Sequence, residues 1–193
     1  MNVEEAIKSR RSIHTFKPEL VDRSTLMDIV ETASWAPTHR MVVPWNVFMY
    51  QENGIAEIAD ATIESYRRMG YFETYTDAAK ERQVIEGIKK YITSIPHHAV
   101  IHMKRNKENP HFYEEDYAAV CAFIQNVQLA AWEKGVGVLW TSPPLINDPE
   151  FLRTIGLDHN QDKVVAILQM GYPDKIPRAK ARTPMHHKLS FID

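Results

Sequence analysis

Two guanidinium groups and a hydroxyl stand side by side at Arg10-Arg11-Ser12, directly after the helix-forming residues 3–9. Such a trio suits a phosphate, because Arg binds its oxygens bidentately. Basic residues in the last turn of a helix also simply complement its dipole. A second constellation, Thr38-His39-Arg40, puts a hydroxyl, an imidazole and a guanidinium in successive positions of a loop bounded by Pro37 and Pro44-Trp45. It reads either as a ligand-holding loop between a helix and a strand or as a polar surface turn. A third stretch, Gly135-Val136-Gly137-Val138-Leu139-Trp140-Thr141, has a glycine at 137 that lets something approach the backbone closely. It is not a dinucleotide fingerprint, since the third glycine is missing and no helix pattern follows. As local structure it is a helix cap followed by a strand. The tail after Gly171-Tyr172-Pro173 carries Lys175, Arg178, Lys180 and Arg182, a basic arm that could reach an anion or lie solvated.

Composition narrows the classes. With 193 residues, 44% hydrophobic and 25% charged, the chain has the size of one domain and the makeup of an ordinary globular protein. A net charge of −2 points to no nucleic-acid or membrane-surface partner. One cysteine, Cys121, excludes a disulfide within the chain and a cysteine-rich zinc site; in its apolar surroundings a buried, inert thiol is expected. Of nine histidines, His97-His98 and His186-His187 are adjacent pairs, which point apart on a strand, so no metal site is expected. Met1 to Glu5 lacks the basic and apolar regions of a signal peptide, and no apolar run is long enough to span a membrane. A cytoplasmic location follows by default.

The elements that must position these residues can be read from periodicity. A helix is expected from Asp22 or Ser24, with Leu26, Ile29, Val30 and Ala33 on one face, ending at Pro37. Residues 45–50, 98–103, 138–141 and 163–170 read as strands. Residues 55–94 are mostly helical in pattern. Residues 113–134 form the longest apolar helix, with Tyr117, Val120, Cys121, Ile124, Val127, Gln128 and Ala131 tracing one stripe that neighbours widen to most of the circumference. A helix so apolar must be buried, in a core or against another subunit. The sum is α+β, with an extended arm from Gly171.

Taken together, "RRS" near residue 10, "AP-hydroxyl…PW" near residue 40, "KGVG" after the long helix and "GYP…R" near the end resemble the nitroreductase family of flavoproteins. The resemblance covers nearly the whole chain and looks most like the short, minimal members. It implies a nitroreductase-like fold over residues 1–193, with a central mixed β-sheet flanked by helices. It implies an intertwined homodimer with an extended C-terminal arm and FMN at the interface. By position, residues 55–94 would form a helical flap over the site.

Residue by residue, the resemblance places Arg10 and Ser12 at the FMN phosphate and ribityl chain, with Arg11 between them. Arg182 would close on the phosphate. His14 falls near the pyrimidine edge of the flavin, and Thr38 and His39 beside its ring. Leu139, Trp140 and Thr141 would cover the other side, partly through backbone groups. Trp35, Pro37 and Arg40 would be neighbours, supplied by the second subunit. The implied activity is ping-pong electron transfer from NADH or NADPH to a nitroaromatic, quinone or similar planar acceptor, with the flavin rather than a side chain carrying the chemistry. In one respect the chain departs from the family pattern: Met41 and Val43 stand where an Asn and a Gln are familiar, which makes the pocket more apolar and favours a quinone or another planar acceptor. Two other classes stay open, a flavin-binding protein without efficient nicotinamide turnover and a helical interaction module. Cations at residues 10–11 and 182 converging on one anion would argue against the module.

Overall fold

The structure is a computed structural model that describes residues 1–192. In chain order it contains α1 (Val3–Ser9), α2 (Arg23–Ala33), β1 (Asn46–Gln51), α3 (Asn53–Arg68), α4 (Ala78–Thr93), β2 (His97–Lys104), α5 (Pro110–Glu133), β3 (Gly137–Thr141), α6 (Pro149–Thr154) and β4 (Asp162–Gly171). Short 3₁₀ turns lie at His39–Met41, Pro144–Asn147 and Met185–His187. The four strands lie in the order β1-β2-β4-β3.

All three ladders are antiparallel. A mixed sheet is the family expectation; within this chain the parallel component is an isolated bridge between Ser12 and Val138. That bridge exists because β3 is an edge strand whose outer backbone groups remain free for the 12–13 segment.

Alternation along the strands feeds two apolar layers. On one face, Ala99, Ile101 and Met103 of β2 meet Leu26 and Ile29 of α2 and Phe123, Ile124 and Val127 of α5. Trp45 stacks on Phe123 there, with ring centroids 4.9 Å apart. On the other face, Val100, Val164 and Ile167 meet Ile55 and Ile58 of α3 and Phe151 and Leu152 of α6. So α3 is a core helix rather than a flap. Only Ile92 is fully buried on α4, which lies over the open side of this layer.

The ends of α5 explain its placement. Asn109 caps it, its side chain accepting from Phe112 N–H at 3.2 Å, with Pro110 in the first turn. At the far end Gly135 adopts φ +74°, and Val136 N–H donates back to Ala131 at 2.8 Å, a glycine-dependent cap. The expected stripe is only partly interior. Val120, Ile124, Val127, Gln128 and Ala131 are buried, whereas Tyr117 is exposed and Cys121 half-buried. Burial pushes the Cys121 thiol up, in keeping with an inert group. Helix α6 escapes the periodicity because six residues are too few to show it; Asp148-Pro149 is its start signal.

Candidate functional site

Three features at the junction of α1, β3 and the C-terminal arm hold the first group of site residues in place. Trp132 Nε1 donates to Ser9 Oγ at 2.9 Å, tying the end of α5 to the end of α1. Ile13 N–H donates to Val138 C=O at 3.2 Å, laying residues 12–13 along the edge of β3. A Cβ at Gly137 would sit 2.6 Å from Ile13 Cγ1, so this approach requires glycine. The arm runs back alongside: Lys17 N–H donates to Tyr172 C=O and Asp174 N–H to Thr15 C=O.

The result is a concentration of positive charge. Arg10 Nη1 is buried without a hydrogen-bond partner. Burial first, then the nearby charges of Arg182 and Arg11, lowers the Arg10 pKa from its ordinary value. Among the described residues no carboxylate pairs with any of the three. Arg11 is held by the carbonyls of Lys8 and Arg10 at 2.7 and 2.8 Å. Ser12 sits beside them on the β3 edge and His14 is exposed just beyond. Unpaired guanidinium groups forced together call for a multivalent anion, and a phosphate monoester fits.

Strand β3 divides its three site residues. Thr141 faces the α3/α4 side, its Oγ1 donating to Ile167 C=O at 2.7 Å, and alternation puts Leu139 on the same face. Trp140 packs against the α2/α5 layer. Trp140 has the same parity as Val138, so its backbone N–H and C=O face the free edge, where a planar heterocycle could be met by main-chain groups. On the Thr141 side a cavity of about 510 Å³ opens beneath α4. Tyr66, Tyr71, Tyr91, His98 and Gln169 line it with Thr141.

Trp35, Thr38 and His39 lie elsewhere. Their loop rests on the first half of α5. Arg40 Cζ is 3.6 Å from the Phe112 ring centroid, and its Nη2 is 3.9 Å from Asp116 Oδ1. His39 Nδ1 is 3.5 Å from Glu115 Oε1. Arg40 and Met41 both have left-handed backbone, at φ 54° and 55°, a conformation costing about 1–3 kcal/mol per residue. Thr38 Oγ1 is buried without a partner, whereas Trp35 is 87% exposed and Met41 88% exposed. Asp116, beneath this loop, and Trp132, beside Ser9, are sixteen residues apart on α5. At 1.5 Å per residue that is roughly 24 Å. One chain therefore carries two separated groups of site residues. Sequence reasoning missed Phe112, Glu115 and Asp116; their signal is an acidic pair one turn after His111 at the start of a capped helix.

Comparison with known proteins gives a consistent picture. The sequence profile of the nitroreductase family matches residues 7–172. A Bacillus subtilis protein named as an NAD(P)H nitroreductase, YfhC, is 34% identical over 185 residues, covering 95% of this chain and 91% of its own. The crystal structure of a nitroreductase-like family protein from Bacillus cereus superposes with a TM-score of 0.87 at 34% identity, covering 100% of this chain and 96% of the other. The FMN-dependent nitroreductase NfnB from Mycobacterium smegmatis, solved with NADPH, shares the fold with a TM-score of 0.72 at 17% identity, covering 98% and 97%.

Proposed function

The chain belongs to the nitroreductase family, and from that premise we propose that it is an FMN-dependent oxidoreductase. It passes electrons from NADH or NADPH to nitroaromatic, quinone or similar planar acceptors by a ping-pong mechanism. The observation that carries the reading is the cluster of Arg10, Arg11 and Arg182, with Arg10 Nη1 buried and unpartnered. Its charge and geometry fit the phosphate of FMN. Bound FMN would supply hydride acceptance and donation at its ring.

The residues then have distinct tasks. Arg10, Arg182 and the Ser12 hydroxyl hold the phosphate, and Arg11 adds positive potential. The free main-chain edge at Trp140 meets the ring, with Leu139 and Thr141 on the far side of the strand. His14 lies along the same edge. Thr38 and His39 approach from a second copy of the chain, because the two groups in one copy are roughly 24 Å apart along α5. A two-fold dimer brings each group to its complement twice. Such a dimer would also cover apolar side chains left open on one copy, including Val3 and Ile7 of α1, Trp35 and Tyr117. The cavity beneath α4 would receive the acceptor, with α4 as its cover. No described helix is long and apolar enough to cross a membrane.

An anaerobic absorbance spectrum before and after NADH, then NADPH, tests the reading. Flavin bands that disappear on addition support it. Bands that persist would favour a flavin-binding protein without nicotinamide turnover, and a protein that remains colourless with added FMN would remove the assignment.

A further inference from the structure

Two buried polar side chains in the cavity beneath α4 have no task in the electron transfer proposed above. His98 of β2 and Gln169 of β4 are register partners in the sheet, and both line the cavity. Side chains directly opposite on antiparallel strands have Cβ atoms about 4.5–5.5 Å apart. His98 is 2% exposed and Gln169 8%. The next partner in this row is Leu139 of β3. The pair therefore lies within two strand spacings, about 10 Å, of the β3 edge proposed to meet the ring.

Each side chain already uses one polar atom, which fixes what its other atom offers. His98 Nε2 lies 3.0 Å from Ile92 C=O. A carbonyl only accepts, so Nε2 carries the proton and Nδ1 presents a lone pair. Burial lowers the His98 pKa, which keeps the ring neutral. Gln169 Oε1 accepts from Tyr91 Oη at 2.8 Å, which leaves its amide NH₂ as a donor. Among the described residues, neither His98 Nδ1 nor Gln169 Nε2 has a partner. Around them the walls are apolar, with Ile58, Ile88 and Leu145 beside the stacked rings of Tyr66 and Tyr71, centroids 5.1 Å apart. Aromatic walls of this kind suit a planar ring.

The geometry points to a recognition site in which Gln169 Nε2 donates to a ring carbonyl and His98 Nδ1 accepts from an N–H or O–H on the adjacent ring carbon. The ligand class is a planar quinone with an amino or hydroxyl group ortho to one carbonyl; as the site of the electron acceptor, this rests on the flavin reductase reading above. An unsubstituted quinone or nitroaromatic has no donor, and binding it leaves His98 Nδ1 buried and unpaired. A site built around a buried polar group rejects a ligand that fails to pair it far more strongly than one that lacks a methylene. The cavity, about 510 Å³, has the size of a small-ligand site.

The experiment compares 2-amino- with 2-methyl-1,4-naphthoquinone, ligands of nearly equal size that differ in the N–H donor. Both are titrated calorimetrically into the oxidised protein with FMN added. The wild type should bind the amino compound about ten- to a hundredfold more tightly, the range for a buried polar group left unpaired. His98→Phe should bring the two dissociation constants together. Gln169→Leu removes the contact to the carbonyl that both ligands share, so it should weaken both and keep their ratio. Equal wild-type affinities would mean that His98 and Gln169 satisfy each other, and overturn the proposal even if neither variant folds. So would a His98→Phe protein that keeps the preference, or a Gln169→Leu protein that binds both ligands as the wild type does. Bleaching by NAD(P)H is read separately: a protein that shows the preference but is not bleached keeps this site and loses the flavin reductase reading.

Discussion

Arg10 and Arg182, from opposite ends of the chain, lie close enough for the charge of one to depress the pKa of the other. Nothing acidic among the described residues offsets them. A fold that drives like charges together is storing electrostatic free energy that an anion releases on binding.

Removing either arginine therefore weakens the proposed FMN site. Arg10→Ala or Arg182→Ala should cost about 1–3 kcal/mol of binding, the usual range for a charge-assisted contact. Quenching of flavin fluorescence gives the dissociation constant. Wild-type affinity in both variants would mean that the phosphate sits elsewhere.

The cluster depends on a contact that contains no charge. Gly137→Ala places a methyl group 2.6 Å from Ile13 Cγ1 and 3.0 Å from Pro173. Ile13 must move off the β3 edge, and Ser12 with it. A loss of about 1–3 kcal/mol in stability is expected for such overpacking, together with weaker FMN binding. Gly87→Ala in α4 is the matched control, because its Cβ would meet nothing within 4 Å. It should stabilise by roughly 0.5–1 kcal/mol, the helix-interior difference between the two residues. Equal melting temperatures for Gly137→Ala and wild type would refute the steric account.

Acid should destabilise the fold through β2. His97 is buried; desolvation first, then His98, lowers its pKa to about 4. Its Nε2 accepts from Val21 N–H at 2.9 Å, a bond the imidazolium cannot make. Because the folded pKa lies below the unfolded value near 6.5, the unfolded chain binds the proton first. Stability contributed by neutral His97 is thus present above about pH 6.5 and lost as pH falls toward 4, with a slope of up to about 1.4 kcal/mol per unit. Burial also pulls His98 and His102 down, which adds to the trend. Melting temperatures between pH 4 and 7 should fall less steeply in His97→Gln; an unchanged slope would assign the acid sensitivity to other groups.

Local signals carried much of this. The periodicity of residues 26–33, the cap around Gly135 and four strand segments all lie in the sequence, because each depends on neighbours in the chain. Gly137 was readable as a point of close approach, though not that Ile13 and Pro173 make it. The sheet order was not readable, since pairing β2 with β4 across α5 is a long-range choice. Glu115 beneath His39 was hidden for the same reason: two residues 76 positions apart meet only after α2 and α5 have packed. Leu139, Trp140 and Thr141 read as one unit in sequence and part in space because a strand alternates.

Helix α4 supplies the last test. It meets the sheet layer through Ile92 and the partly buried Ile88, and Tyr91 Oη donates to Gln169 Oε1 at 2.8 Å in the lining of the cavity. If the cavity takes the acceptor, Tyr91→Phe loosens its cover without touching the arginine cluster. Stability should fall by no more than about 1 kcal/mol, the net worth of one neutral hydrogen bond. The acceptor KM should rise several-fold while the FMN dissociation constant and the rate of reduction by NAD(P)H stay put. An acceptor KM equal to wild type would place the acceptor outside this cavity. A parallel loss of FMN affinity would instead mean that α4 braces the flavin edge of β3, making it part of the cofactor site and not its cover.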